Sequence, residues 1–195
     1  MNIKKAIVKQ NKNYKMFYTI MWALFFILPV AALLTGNTSM FIIIYLVFVE
    51  VLIVVSLFLI SNNVKLKYSC SNNKLKMKLG WFGEEILLLC DKVVLVHTEK
   101  KLEDMEIVIV TSLKLRGDKL RPITKSFFKK HPLAAEEYKK IKIRYPDSKY
   151  TYMIIKKGAL NKYNLLNDIY RNCVKATYTS KAIENIKIAR CQKEI

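Results

Sequence analysis

Histidine, cysteine, glycine and proline are all scarce in this chain, at 2, 4, 5 and 4 of 195 residues. No G-x-S-x-G, P-loop, H-E-x-x-H or kinase-like set is present, which excludes the catalytic classes those motifs define. His97 and His131 stand alone, neither beside a cysteine, so satisfied or exposed histidines are expected rather than metal ligands. Cys70, Cys90, Cys173 and Cys191 lie far apart, without a C-x-x-C pair or a Cys/His pair at metal spacing. In a cytoplasmic domain they read as reduced and structural, a redox-sensing pair being the alternative. The carboxylate pairs Glu84–Glu85 and Glu136–Glu137 are adjacent in sequence and point apart, so neither forms an acid/base dyad. The expectation is a protein that is not an enzyme and needs no cofactor or metal.

Acidic residues are the other shortage, 15 Asp and Glu against 34 Lys and Arg, a formal net charge of +19. Anionic lipid headgroups and nucleic acid are the polyanions to weigh against simple solvation of abundant lysines. The basic residues are spread along the chain and no recognised nucleic-acid module occurs, which disfavours nucleic acid.

Two apolar runs are conspicuous. Residues 17–35 carry no charge, and residues 40–60 carry only Glu50. At about 20 residues and roughly 1.5 Å per residue, each suffices for a hydrocarbon core of about 30 Å. The short polar link of residues 36–39 requires an antiparallel hairpin. Lys4, Lys5, Lys9, Lys12 and Lys15 precede the first run, and Lys65 and Lys67 follow the second. The rule that basic flanks stay inside predicts a cell-membrane protein of two spans, both termini cytoplasmic. A signal peptide over residues 1–35 competes for the first run, with small residues at Ala31 and Ala32. The second run keeps the following domain cytoplasmic under either reading. Pro29 predicts a bend in the first helix, and neither run has a G-x-x-x-G for close packing.

Residues 61–195 number 135, enough for one core, with 29 basic against 14 acidic side chains. Val64–Cys70 and Leu75–Leu79 alternate apolar and polar around Ser71-Asn72-Asn73, a hairpin. Gly80-Trp81-Phe82-Gly83 interrupts the pattern before strands at Glu84–Leu89, Val93–Thr98 and Met105–Leu115, the last partly compatible with helix and ended by Gly117. Residues 118–149 are polar, with one short helix near Leu133–Lys142. Pro132 and Glu136–Glu137 suit its start, and Lys139, Lys140 and Lys142 its end. A last strand at Lys149–Ile155 precedes an amphipathic helix with Tyr163, Leu166, Ile169, Tyr170, Cys173 and Val174 on one stripe.

The expected fold is therefore an α+β membrane protein, a two-helix hairpin followed by a mostly antiparallel β domain closed by a C-terminal amphipathic helix. Its divisions are 1–16, a basic N-terminus; 17–60, the hairpin; 61–178, the β domain; and 179–195, a basic helical tail. Tyr68…Leu75-x-Met77…Gly80-x-Phe82 followed by Ile86-Leu87-Leu88…Val93-Val94-x-Val96 resembles bacterial membrane proteins with a pleckstrin-homology-like domain. The match covers residues 62–98; residues 149–176 agree in element order, and 118–149 depart from the pattern. The resemblance implies a scaffold or regulatory subunit, able to assemble into larger complexes, without implying phosphoinositide binding.

Glu50 is the sharpest single candidate, since a mid-bilayer carboxylate costs about 2.5–3.5 kcal/mol on insertion scales. It matches Phe25–Leu28 in depth, where the first span offers no cation. It is then tolerated in protonated form, bonded to a partner helix, or part of an ion path. Trp81 and Phe82, beside Lys74, Lys76 and Lys78, suit insertion at the membrane interface or burial in the core. Lys181, Lys187 and Arg190 of the tail suit a helix lying on the membrane. Two functions follow. One is a membrane-anchored scaffold holding a protein partner, a second copy, or anionic lipid. The other is a non-catalytic subunit of a transport or translocation complex, contacting partners through Glu50 and the hairpin.

Overall fold

The computed structural model describes residues 2–36, 39–101, 104–112 and 120–194. Helix α1 spans Ile3–Leu34 and α2 spans Met40–Val64. Both are long and apolar enough to cross a membrane. Trp22, Phe26, Val30 and Leu33 of α1, and Phe41, Ile44, Phe48 and Val51 of α2, are exposed, while α2 buries only Ile53. An apolar surface this extensive suits a hydrocarbon environment. α1 continues through Pro29 to a close at Thr35 and Gly36. Asn37 and Thr38 of the link lie outside the described residues.

The first helix differs from the expected division at residue 16. It starts at Ile3, capped by the Asn2 side chain, which accepts from the Lys4 backbone N–H. Neither glycine nor proline interrupts residues 3–28, so nothing stops the apolar helix from extending back through the basic segment. Ile3 and Ala6 are buried. The basic segment is thus a helical arm in contact with the β domain.

Strands β1 (Leu66–Ser71), β2 (Lys74–Leu79) and β3 (Glu85–Leu89) form an antiparallel sheet in that order. Asn72 and Asn73 turn the first hairpin at φ 49° and 61°, a region Asn tolerates. After a single 3₁₀ turn at Cys90–Lys92 come β4 (Val93–Lys101) and β5 (Asp104–Thr111). β6 (Arg121–Pro122), α3 (Lys125–Lys130), α4 (Pro132–Arg144) and β7 (Thr151–Ile155) follow. The chain ends in α5 (Asn161–Asn172), β8 (Thr177–Tyr178) and α6 (Ser180–Ala189). The second sheet runs β6-β7-β5-β4-β8, antiparallel except for the parallel β4–β8 pair.

The main core lies between the sheets. Leu75 and Met77 of β2 and Leu88 of β3 join Ile107 and Ile109 of β5, closed by Leu165, Leu166 and Ile169 of α5. The other face of the second sheet carries Leu95, Val108 and Val110 under Phe127, Ala134 and Tyr138 of α3 and α4. β5 is therefore covered on both sides, which is why its sequence runs apolar instead of alternating. That settles its first half as strand. Leu113–Leu115 and Gly117 lie outside the described residues.

Three expectations shift. The polar stretch 118–149 holds α3 and β6 besides the expected helix. The buried stripe of α5 is Lys162, Leu165, Leu166 and Ile169, and Val174 is 80% exposed because the helix ends at Asn172. The tail also packs as part of the domain, with Ala182 and Ile186 of α6 buried.

Gly80 adopts φ +77°, and a Cβ there would stand 2.3 Å from Asn62 Oδ1 and 3.1 Å from the Asn62 carbonyl. Gly80→Ala should destabilise the β domain by about 1–3 kcal/mol, through strain and this collision. Urea unfolding in mild detergent measures it, and an unchanged midpoint would show that Gly80 is not tightly held.

Candidate functional site at the helix–sheet joint

α2 ends at Val64 and β1 begins at Leu66, leaving Lys65 alone between them in extended backbone. The turn after β2 folds back onto this junction. Gly80 N–H donates to the Lys65 carbonyl at 2.8 Å. Trp81 donates its backbone N–H to Asn62 Oδ1 at 3.0 Å and its indole N–H to Ser61 Oγ at 2.8 Å. From the segment after β7, Gly158 N–H donates to the Asn63 carbonyl at 2.9 Å. Leu160 N–H donates to Gln10 Oε1 of α1 at 3.1 Å. Both long helices are thus bonded to the β domain beyond the covalent link.

Trp81 and Phe82 are exposed, Phe82 at 84%. Of the two expected placements, the core is ruled out. The Phe82 ring lies 5.8 Å from that of Phe58 in the last turns of α2. Lys65 Nζ sits 3.0 Å from the Trp81 ring centroid, an ammonium on a π face. The Lys65 ammonium is held below the usual lysine range, first by desolvation and then by repulsion from Lys67 and Lys78.

Along β2 the outward residues are Lys74, Lys76 and Lys78, alternating with buried Leu75, Met77 and Leu79. Lys78 lies directly opposite Lys67 of β1 and in register with Glu85 of β3. Lys76 Nζ reaches Glu85 Oε1 at 3.9 Å, an exposed pair of little energetic weight. Lys67, Tyr68, Ser69, Lys76, Met77, Lys78 and Glu85 line a shallow groove of about 260 Å³.

Lys181, Lys187 and Arg190 are not part of this face. Lys181 and Lys187 are exposed on α6, and Arg190, just past its end, packs its guanidinium 5.5 Å from the Tyr170 ring centroid. Cys191, next in sequence, donates its thiol to Asn2 Oδ1 at 3.0 Å, at the start of α1. That point is about 21 Å along the helix axis from Phe17, where the apolar run begins. The tail helix is docked on the domain rather than lying free for a bilayer. Glu50 is half-buried on α2, in a groove of about 250 Å³ whose other lining residues, Phe25, Val47, Val51, Val54 and Val55, are all apolar.

Three buried groupings escaped the sequence reading. Cys70, Cys90 and Cys173 converge from β1, the 3₁₀ turn and the end of α5, with Cys70 Sγ 4.0 Å from Cys90 Sγ. Desolvation and the neighbouring Cys90 push the Cys70 thiol up to about 11, and burial raises Cys173 as well, so both stay protonated and unreactive. Lys162 is fully buried, paired with Asp104 at 2.6 Å and donating to the Lys156 carbonyl at 2.8 Å. The third is a chain of polar side chains. His97 Nε2 faces Glu99 Oε1 at 3.2 Å, and His131 Nδ1 faces Glu99 Oε2 at 2.9 Å. His97 Nδ1 stands 2.8 Å from Thr179 Oγ1, which accepts the Ala182 N–H at the start of α6. The assignment that satisfies these contacts has the Thr179 hydroxyl donating to His97 Nδ1, with His97 Nε2–H and His131 Nδ1–H donating to Glu99. A second proton on His97 would reverse this bond, making Nδ1–H the donor to a Thr179 oxygen that already accepts from Ala182. These histidines are 34 positions apart in sequence, and only the placement of the α3–α4 junction against β4 joins them.

Comparison with protein-family models, curated proteins and solved structures finds no match.

Burial holds the His97 imidazole below its usual value of 6.5, opposed by Glu99 and aided by Lys181 and His131. The unfolded chain therefore takes up this proton first. The stability from neutral His97 is complete above that value and is lost as pH falls through it. Urea midpoints should drop between about pH 7 and about pH 5, and His97→Gln should flatten the slope. An unchanged slope in the variant would assign the acid sensitivity elsewhere.

Proposed function

We propose that this chain is a membrane-anchored binding module of pleckstrin-homology-like type. It holds a protein partner or an anionic lipid surface at the cytoplasmic face of the cell membrane. In this reading, α1 from Phe17 onward and α2 cross the bilayer as an antiparallel pair, with both termini cytoplasmic. The lysines before Phe17 and after Val64 support that orientation. The order of a three-stranded sheet, the β4–β5–β7 ladder and α5 supports the domain type, with α3 and α4 as an insertion between β5 and β7.

One observation carries the proposal. Trp81 and Phe82 stand exposed against the last turns of α2, with Lys65 on the indole, where a span leaves the hydrocarbon. Trp favours the headgroup layer, and the lysines beside it favour the inner leaflet. The joint fixes the pose of the domain, so whatever it binds is held at a set height and angle. That is the service of a scaffold or regulatory subunit.

The apolar groove around Glu50 favours a second reading, a subunit of a transport or translocation complex whose partner helix supplies a hydrogen-bond donor to the carboxyl group.

A Trp22→Phe background leaves Trp81 as the sole tryptophan. In neutral phosphatidylcholine vesicles, lipids brominated near the headgroup should quench its fluorescence more strongly than lipids brominated near the chain ends. Absence of quenching would overturn the proposal. Mass determination of the complex purified in mild detergent separates the two readings. Glu50→Gln should leave a scaffold's partner bound, whereas loss of the complex favours the subunit.

A further inference from the structure

We propose that Lys65, Lys67 and Lys78, with Trp81, form a seat for the phosphodiester headgroup of an anionic membrane lipid. The proposal rests on the reading of the α2 end as the point where the chain leaves the bilayer. It narrows the basic face from the whole of β2 to the end nearest the joint.

The register defines the seat. Leu66 pairs with Leu79, so Lys67 and Lys78 are the first outward pair of the sheet, one step from α2. Like charges directly opposite each other on a sheet face are unfavourable by themselves. Lys65 lies two residues before Lys67, on the same side of the extended backbone. Three ammonium groups therefore gather at one end of the sheet, where desolvation first, and then repulsion from Lys67 and Lys78, lowers the proton affinity of Lys65. Glu85 is in register with Lys78 but turns its carboxylate toward Lys76. Lys157 adds a further ammonium beside Gly80. An anion placed among Lys65, Lys67 and Lys78 relieves repulsion that the protein leaves standing.

The surroundings select a lipid as its source. Phe82, next to Trp81 in sequence, packs on Phe58 of α2, and both are exposed beside the apolar face of the helix. A phosphodiester on the lysines places its glycerol against these rings and its acyl chains along α2. A soluble phosphate uses only the first half of this arrangement. Distance from the joint grades the lysines. Strand rise of about 3.3 Å per residue puts Lys74 about 13 Å beyond Lys78, more than a Debye length of about 8 Å at physiological salt. Lys74, although exposed like Lys78, should contribute little.

The test uses the full chain, with Trp22→Phe, in nanodiscs of phosphatidylcholine with increasing phosphatidylglycerol, reading Trp81 emission. A saturable shift is expected. Lys67→Gln or Lys78→Gln should weaken its midpoint by about fivefold each, the equivalent of about 1 kcal/mol per basic residue near an anionic surface. Lys78→Arg should restore it, and Lys74→Gln should change it by less than about twofold. Equal effects of Lys74→Gln and Lys78→Gln would overturn the seat in favour of diffuse attraction. Inorganic phosphate producing the same shift in neutral nanodiscs would overturn the lipid source. If headgroup-brominated neutral lipids quench Trp81 but phosphatidylglycerol has no effect, the seat fails and the proposed function stands. If neither acts on Trp81, both fail.

Discussion

Lys65 is all that separates the end of α2 from the start of β1, and much of the structure follows from that brevity. A helix running directly into a strand leaves no linker in which the domain can swivel, so neighbouring segments can be built against a fixed corner. Gly80 bonds to the Lys65 carbonyl, Trp81 and Gly158 bond to the last turn of α2, and Leu160 reaches Gln10 of α1. The positive φ of Gly80 belongs to the same constraint, because the turn passes too close to Asn62 for a side chain. The cost of ordering one loop is shared among contacts to both helices, which makes the corner cooperative.

Behind the corner, the domain is organised around β5. With one face on the inter-sheet core and the other under α3 and α4, it is the strand with the least access to water, and its neighbours inherit their roles from it. Several polar side chains drawn into this interior are paired with one another. Lys162 keeps Asp104 and a carbonyl, and His97 and His131 share Glu99. Among the described residues, His131 Nε2 has no hydrogen-bond partner.

Much of this was legible because it is local. The hairpin turn at Asn72-Asn73 and the alternation in Lys74–Leu79 are written in consecutive residues, and the two apolar runs mark the long helices directly. Other features escaped for a physical reason. Lys162 reads as a solvated lysine until Asp104, 58 positions earlier, is brought beside it. The three clustered thiols and the paired histidines likewise depend on contacts between distant segments. α3, at six residues, is too short for its apolar positions to set a period. The candidate site was half legible. The lysines of β2 and the aromatic pair were evident, but only the β1–β2 register and the docking of the turn on α2 bring Lys65 and Lys67 into the group and separate it from α6.

Hydrogen exchange of the full chain in lipid nanodiscs tests the fixed corner most directly. The amides of Gly80, Trp81 and Gly158, each bonded to an atom of residues 62–65, should exchange as slowly as those of the neighbouring β2 strand. Exchange at the rate of an open loop would mean that the domain moves freely on the helices, and would contradict the account.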